Sequence, residues 1–154
     1  MLAITEKQRS AYRQLRNESH SGCVVCCPNN GHGLGLEFHL AHDGAVEASF
    51  ACNKVFQGYP ATLHGGVIST LLDGAMTNCL FAHGHVSMTV ELTVRFRHPV
   101  ATDNPAMVRA WITSSTRPVH ELTAELIQNG MVKATAKAKF LEKMAVEWCR
   151  KAGQ

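Results

Sequence analysis

Leu63-His64-Gly65-Gly66-Val67-Ile68-Ser69-Thr70-Leu71-Leu72-Asp73 is the stretch on which the reading of this chain turns. A His-Gly-Gly turn opens a strongly apolar segment, and a carboxylate follows nine residues after the histidine. Ile68, Leu71, Leu72, Ala75, Met76 and Cys79 recur at i, i+3, i+4, i+7, i+8 and i+11, the spacing of one helix face. The spacing predicts one long helix over residues 65–82. At about 100° per residue, Asp73 falls off that stripe, on the side of Gly66 and about two turns along. The expected helix buries one face and presents a carboxylate elsewhere.

The first turn of a helix carries unpaired N–H groups and the positive end of the dipole. Glycine lets a ligand approach that backbone closely. Gly65 and Gly66 are therefore candidates for polarising a carbonyl. The plain alternative is a glycine-rich turn that lets the chain enter a buried helix. Asp73 is an unfavourable choice in an apolar helix, and Gly74 beside it costs roughly 1 kcal/mol of helix propensity relative to Ala. Two such choices together suggest close packing or a functional demand; the alternative is an exposed Asp on a solvated face. His64 reads as a residue that fixes the turn, with a general-base role as the alternative.

Working outward, residues 5–17 predict a polar helix with Thr5 as N-cap. Residues 19–35, rich in Gly, Asn, Cys and Pro, read as a loop. Leu36–Leu40 and Val46–Phe50 alternate as half-buried strands around the turn signal Asp43-Gly44. Residues 53–63 form an irregular approach to the His-Gly-Gly turn. After the helix, residues 86–98, 106–115, 120–128 and 132–141 predict four strands, with Asn129-Gly130 the strongest hairpin signal. In the first, Val86, Met88, Val90, Leu92, Val94 and Phe96 face one way. Thr89, Glu91, Thr93, Arg95 and Arg97 face the other. The tail from Met144 reads as a short helix or frayed end. The order β-β-α-β-β-β-β is an α+β fold: an antiparallel sheet of five or six strands wrapped around one long helix. A free sheet face makes oligomers the expectation.

At 154 residues, with 45% hydrophobic and 18% charged, the chain reads as one globular domain, 1–154, with a 34–142 core and a 1–33 lead-in. A net charge of +3 is too mild to argue for nucleic acid, though it suits an anionic ligand. No apolar h-region marks the first twenty residues, and no apolar run has membrane-spanning length, so a cytoplasmic protein without a membrane partner is expected. The six cysteines then read as reduced thiols. Cys23-Val24-Val25-Cys26 is half of a zinc-ribbon signature, and a tetrahedral site needs two more ligands, from Cys27, His20 or His32. The expectation is a plain turn and no metal. His83, His85, His98 and His120 have no ligand spacing.

The chain resembles the hotdog-fold acyl-CoA thioesterases, in their PaaI-like, phenylacetate-pathway-type branch, over residues 34–142. Gln57-Gly58-Tyr59-Pro60, His64-Gly65-Gly66, Leu72-Asp73 and the strand Val90 to Pro99 carry the resemblance. Cys23-Val24-Val25-Cys26 followed by Gly33-Leu34-Gly35-Leu36 looks like a lead-in of the same branch. The resemblance implies hydrolysis of an acyl- or aryl-CoA thioester without a cofactor, coenzyme A being part of the substrate. It implies sites between two subunits paired sheet edge to sheet edge, so a homodimer is required and a tetramer fits. The Gly66 N–H, with Gly65 nearby, would polarise the carbonyl. Asp73 of the facing subunit would attack or activate water, Thr89 would orient that water, and His64 would hold the turn. Gln57 would stand in for an upstream amide, since Gly58 occupies the position where some relatives carry Asn. Cys27 stands where Gly commonly follows the Cys pair. Phe56, Tyr59 and Met76 are candidates for the acyl pocket. Arg95, Arg97, Arg109 and Arg117 are candidates for the CoA phosphates, each also readable as a solvated strand charge. Two other readings stay open: a non-catalytic acyl-CoA-binding protein of the same fold, and a Cys-based metal or redox module.

Overall fold

The computed structural model describes residues 5–152. Its elements are α1 (Glu6–Ser19), β1 (His39–Leu40), β2 (Val46–Phe50), α2 (Gly65–Ala82), β3 (Ser87–Phe96), β4 (Ala106–Thr116), β5 (Val119–Gln128), β6 (Met131–Glu142) and α3 (Lys143–Ala152). The six strands form one antiparallel sheet in the order β1-β2-β4-β5-β6-β3, with α2 as its central helix. This is the hotdog architecture expected from the sequence. No helix among the described residues is long and apolar enough to cross a membrane.

The predicted stripe on α2 is the core. Ile68, Leu71, Leu72, Ala75, Met76 and Cys79 are all buried, against Val46, Val108, Leu122, Leu126 and Phe140 of the sheet. One expectation changes here. The second half of α2 is buried on nearly every side, because Thr77, Asn78, Leu80 and Phe81 are covered as well. The N-terminal segment supplies the cover. Tyr12 of α1 donates its hydroxyl to Asn78 Oδ1 at 2.8 Å, and the Cys-rich loop packs Val25 against Gly74. A helix apolar on all sides needs such a second layer.

Local signals acted as chemistry dictates. Thr5 and Gln8 close a capping box on α1. Asn129 (φ 53°) and Gly130 (φ 73°) make the left-handed pair that a two-residue hairpin requires. Strand β1 is shorter than predicted. Leu36 and Phe38 keep their alternating burial, but Leu34 and Leu36 donate their N–H groups to Val24 and Val25 of the Cys-rich loop, so sheet pairing starts only at His39.

The strict alternation predicted for β3 also fails at one point. The pairing with β6 slips between Thr89 and Glu91. Thr89 pairs with buried Phe140, while after the slip Leu92, Val94 and Phe96 pair with the buried alanines Ala138, Ala136 and Ala134. Thr89 therefore shares the helix-facing side with Leu92, Val94 and Phe96. A β-bulge at Val90 re-aims the strand by one residue.

Candidate active site

Asp73 sits half-buried on α2, and the bulge in β3 delivers Thr89 to it: Thr89 Oγ1 donates to Asp73 Oδ1 at 2.8 Å. Burial pushes the Asp73 carboxyl above the ordinary carboxylate range, opposed by the Thr89 hydrogen bond and the nearby His20 ring. His20 is a neighbour that sequence reasoning missed. Burial lowers its pKa, and the Asp73 charge works the other way. Its position, three residues before Cys23, was the available signal. Gly74 is explained by packing: a side chain begun there would meet Val25 Cγ1 at 2.5 Å.

At the start of α2, His64 is the N-cap, and its Nδ1 accepts the Gly66 N–H at 2.9 Å. That bond fixes the neutral ring as the Nε2–H tautomer. His64 thus caps this turn. The same bond corrects the expectation for Gly66, whose N–H is already engaged by the cap. Among the described residues, the Gly65 and Val67 N–H groups at this helix start have no partner. The glycines keep the turn compact, since a side chain at Gly66 would press on the His64 ring at 3.0 Å. The Phe96 ring lies 3.4 Å from where a Gly65 side chain would begin, so the end of β3 adjoins the helix start.

The upstream residues divide. Gly58 lies beside the His64 ring, whose Cδ2 stands 3.1 Å from where a side chain at 58 would begin, so a larger residue there would press on the ring. Gln57 does not supply an amide there: its Oε1 accepts from Ala61 N within its own loop, at 3.3 Å. Tyr59 is exposed. Phe56, partly buried, packs on Phe50 with ring centroids 5.4 Å apart, and Met76 is fully buried in the core.

The arginines divide too. Arg109 is ion-paired with Asp43 and Glu47, and Arg117 with Glu142 at 2.6 Å. Those cations are already neutralised. Arg95 pairs across the sheet with Thr135, on the face away from α2. Arg95 and Arg97, with Thr93, Thr135 and Lys137, line a shallow groove there. They form no ion pair among the described residues, but they do not face Asp73.

His85 and His120 do not stay isolated. With Glu142 they bring ligand atoms within 4.8 Å of one another. Arg117 already compensates Glu142, and Ser115 holds His120 Nδ1 at 2.8 Å, while the buried His85 Nδ1 has no hydrogen-bond partner and stands 3.7 Å from Glu142 Oε1.

Known proteins share this fold. The thioesterase superfamily model matches residues 61–135, from the approach to α2 into β6. The acyl-coenzyme A thioesterase THEM4 of Rattus norvegicus is 32% identical over 71 residues, 44% of this chain and 30% of that protein. The match thus spans under a third of that relative's length. E. coli PaaI, from the phenylacetic acid degradation operon, superposes with a TM-score of 0.72 at 14% identity, covering 90% of this chain and 100% of that one. A hypothetical thioesterase of Streptococcus pneumoniae TIGR4, solved with coenzyme A, superposes with a TM-score of 0.66 at 16% identity, covering 70% and 88%. The chain has the hotdog fold of the PaaI-type structures, and its residues 61–135 are similar to the thioesterase superfamily.

Proposed function

We propose that the chain is an acyl-CoA thioesterase that works as a homodimer, hydrolysing an acyl- or aryl-CoA to the free acid and CoA. The hydrogen bond from Thr89 to Asp73 carries the reading. It sets a half-buried carboxylate beside an edge strand of the sheet, with its pKa raised by burial toward the range useful for a base. The structure with coenzyme A from S. pneumoniae supports the ligand class.

Asp73 takes a proton from water held by Thr89. The water oxygen bonds to the thioester carbon, the C–S bond breaks, and the proton passes to the departing CoA sulfur. Direct attack by the carboxylate gives an anhydride that water then opens, with the same products. The carbonyl oxygen needs donors. Gly66 lies about 10 Å from Asp73 by helix rise alone, too far to serve the same carbonyl within one chain. The α2 start of a second copy supplies them. There the free N–H groups of Gly65 and Val67 join the helix dipole, while His64 holds the Gly66 N–H. Arg95 and Arg97 remain available for CoA phosphates reaching the outer sheet face.

The test is release of CoA from a panel of aryl-, short- and long-chain acyl-CoAs, resolved chromatographically. Asp73→Asn should lower kcat by on the order of a hundredfold or more while the fold persists. Near-normal turnover in folded Asp73→Asn removes the mechanism. Tight acyl-CoA binding with no hydrolysis by the unsubstituted protein leaves a non-catalytic acyl-CoA-binding protein instead.

A further inference from the structure

The Cys-rich loop keeps one feature that thioester hydrolysis does not use. His20, Cys23 and Cys26 bring Nδ1 and two Sγ atoms within 4.8 Å of one another. His20 Nδ1 lies 3.9 Å from Cys26 Sγ. A tetrahedral ion with Zn–S near 2.3 Å and Zn–N near 2.0 Å separates its ligand atoms by roughly 3.5 Å. The cluster therefore needs only rotamer-scale adjustment to close on one ion.

The backbone around it is built as a metal-binding turn would be. Cys23 N donates to His20 O at 3.2 Å, and Cys27 N to Cys23 O at 3.0 Å, so the three side chains hang from consecutive turns. Val25 N donates to Cys23 Sγ at 3.3 Å. That N–H orients the sulfur and leaves its other lone pairs for a metal. Leu34 N and Leu36 N clamp the same turn through Val24 O and Val25 O. Cys26 is buried and Cys23 half-buried, and two thiols with an imidazole are the donor set a soft cation selects.

We propose that His20, Cys23 and Cys26 form a zinc site, with three protein ligands and a solvent-filled fourth position. Cys27 is left out of the set because its thiol donates to Ser21 O at 2.8 Å, and His32 lies outside the cluster. A solvent cavity lined by Arg16, His20, Cys26 and Cys27 gives the ion an entry path. Binding Zn2+ converts both thiols to thiolates and releases two protons. Two thiolates and a neutral imidazole leave the loaded site uncharged, which suits its position beside Asp73. The raised pKa of Cys26, pushed up to about 11 by burial, is then overcome by the ion itself. The site would brace the loop whose Val25 packs on Gly74, next to Asp73, and its existence does not depend on the hydrolase reading.

The experiment loads the full chain with Zn2+ alone and with Co2+ alone. One Zn2+ per chain should survive dialysis, and Co2+ should give thiolate-to-cobalt charge transfer with intense tetrahedral visible bands. His20→Gln and Cys23→Ser should each weaken Zn2+ binding by about 100-fold or more, the top of the range for merely outer-shell changes. Cys27→Ser should keep the metal. The spectrum of the unsubstituted protein decides the matter even if a variant misfolds. Absence of cobalt–thiolate absorption in the folded protein overturns the proposal. So does metal retained undiminished in both His20→Gln and Cys23→Ser, or lost as fully in Cys27→Ser. A Cys23–Cys26 disulfide that forms in the presence of zinc also overturns it.

Discussion

Asp73 is the residue whose environment decides most of the chemistry. A carboxyl raised by burial holds its proton to higher pH than an exposed one, near 3.9. Activity that needs the carboxylate is then lost as pH falls through that raised value. Thr89 donates to the charged form and holds the value down. Thr89→Val should therefore move the acid limb of the kcat/KM profile to higher pH, and lower kcat less than Asp73→Asn does. A limb that stays in place, or moves lower, refutes the link. The stability sign follows from the same shift. A folded-state pKa above the unfolded one makes ionised Asp73 destabilising as pH rises through that window, so Asp73→Asn should melt no lower than the parent at neutral pH. Asp73 was legible in the sequence because a carboxylate in an apolar helix is locally unfavourable. Thr89 was named only through the family resemblance, and simple alternation placed it with Glu91 and Thr93 on the wrong face. The bulge that turns it inward has no signature in an apolar–polar pattern.

Helix α2 shows what an element gains by giving up propensity. Gly74→Ala would add about 1 kcal/mol of intrinsic helix preference. Against that, its methyl would overlap Val25, whose three side-chain carbons stand 2.5–3.1 Å from it. Val25 is β-branched and tied into a hydrogen-bonded loop, so it cannot swing aside cheaply. Overpacking of this kind costs typically 1–3 kcal/mol, and contact this close belongs at the upper end. The net effect of Gly74→Ala should be destabilisation of about 1–2 kcal/mol by urea titration. Adding Val25→Ala should recover part of it, a favourable coupling in the double-mutant cycle. Additive losses would remove Val25 as the cause. The element itself was readable end to end, since the observed Gly65–Ala82 matches the predicted 65–82. Its covering was not. Nothing in the periodicity of α2 says that a loop some fifty residues earlier lies on Gly74, and the same loop diverts Leu34 and Leu36 from strand β1. Contacts between distant segments leave only anomalies in the sequence, here an unexplained glycine and an unexplained cysteine pair.

The whole molecule ends its sheet on β3, ten residues long, with Met88 51%, Val90 58% and Phe96 54% exposed. A long apolar edge is a template for another strand, and isolated proteins avoid leaving one open. A two-fold axis near the middle of β3 would pair it antiparallel with its own copy. The Thr89 end of one strand would then lie beside the Phe96 end of the other. Phe96 adjoins Gly65, and Thr89 holds Asp73, so this one pairing brings each carboxylate to the other copy's helix start. The division of labour can be tested by mixing two damaged proteins. Asp73→Asn removes the carboxylate. Gly66→Val pushes a side chain into the His64 ring and spoils the helix start. Each homodimer should be nearly inactive. Co-refolding equal amounts should make half the dimers mixed, each with one site free of both lesions, so about a quarter of the sites recover. Activity that stays at the level of the separate variants, while mixed dimers are demonstrably present, would mean that one chain carries both halves and that the edge of β3 serves some other end.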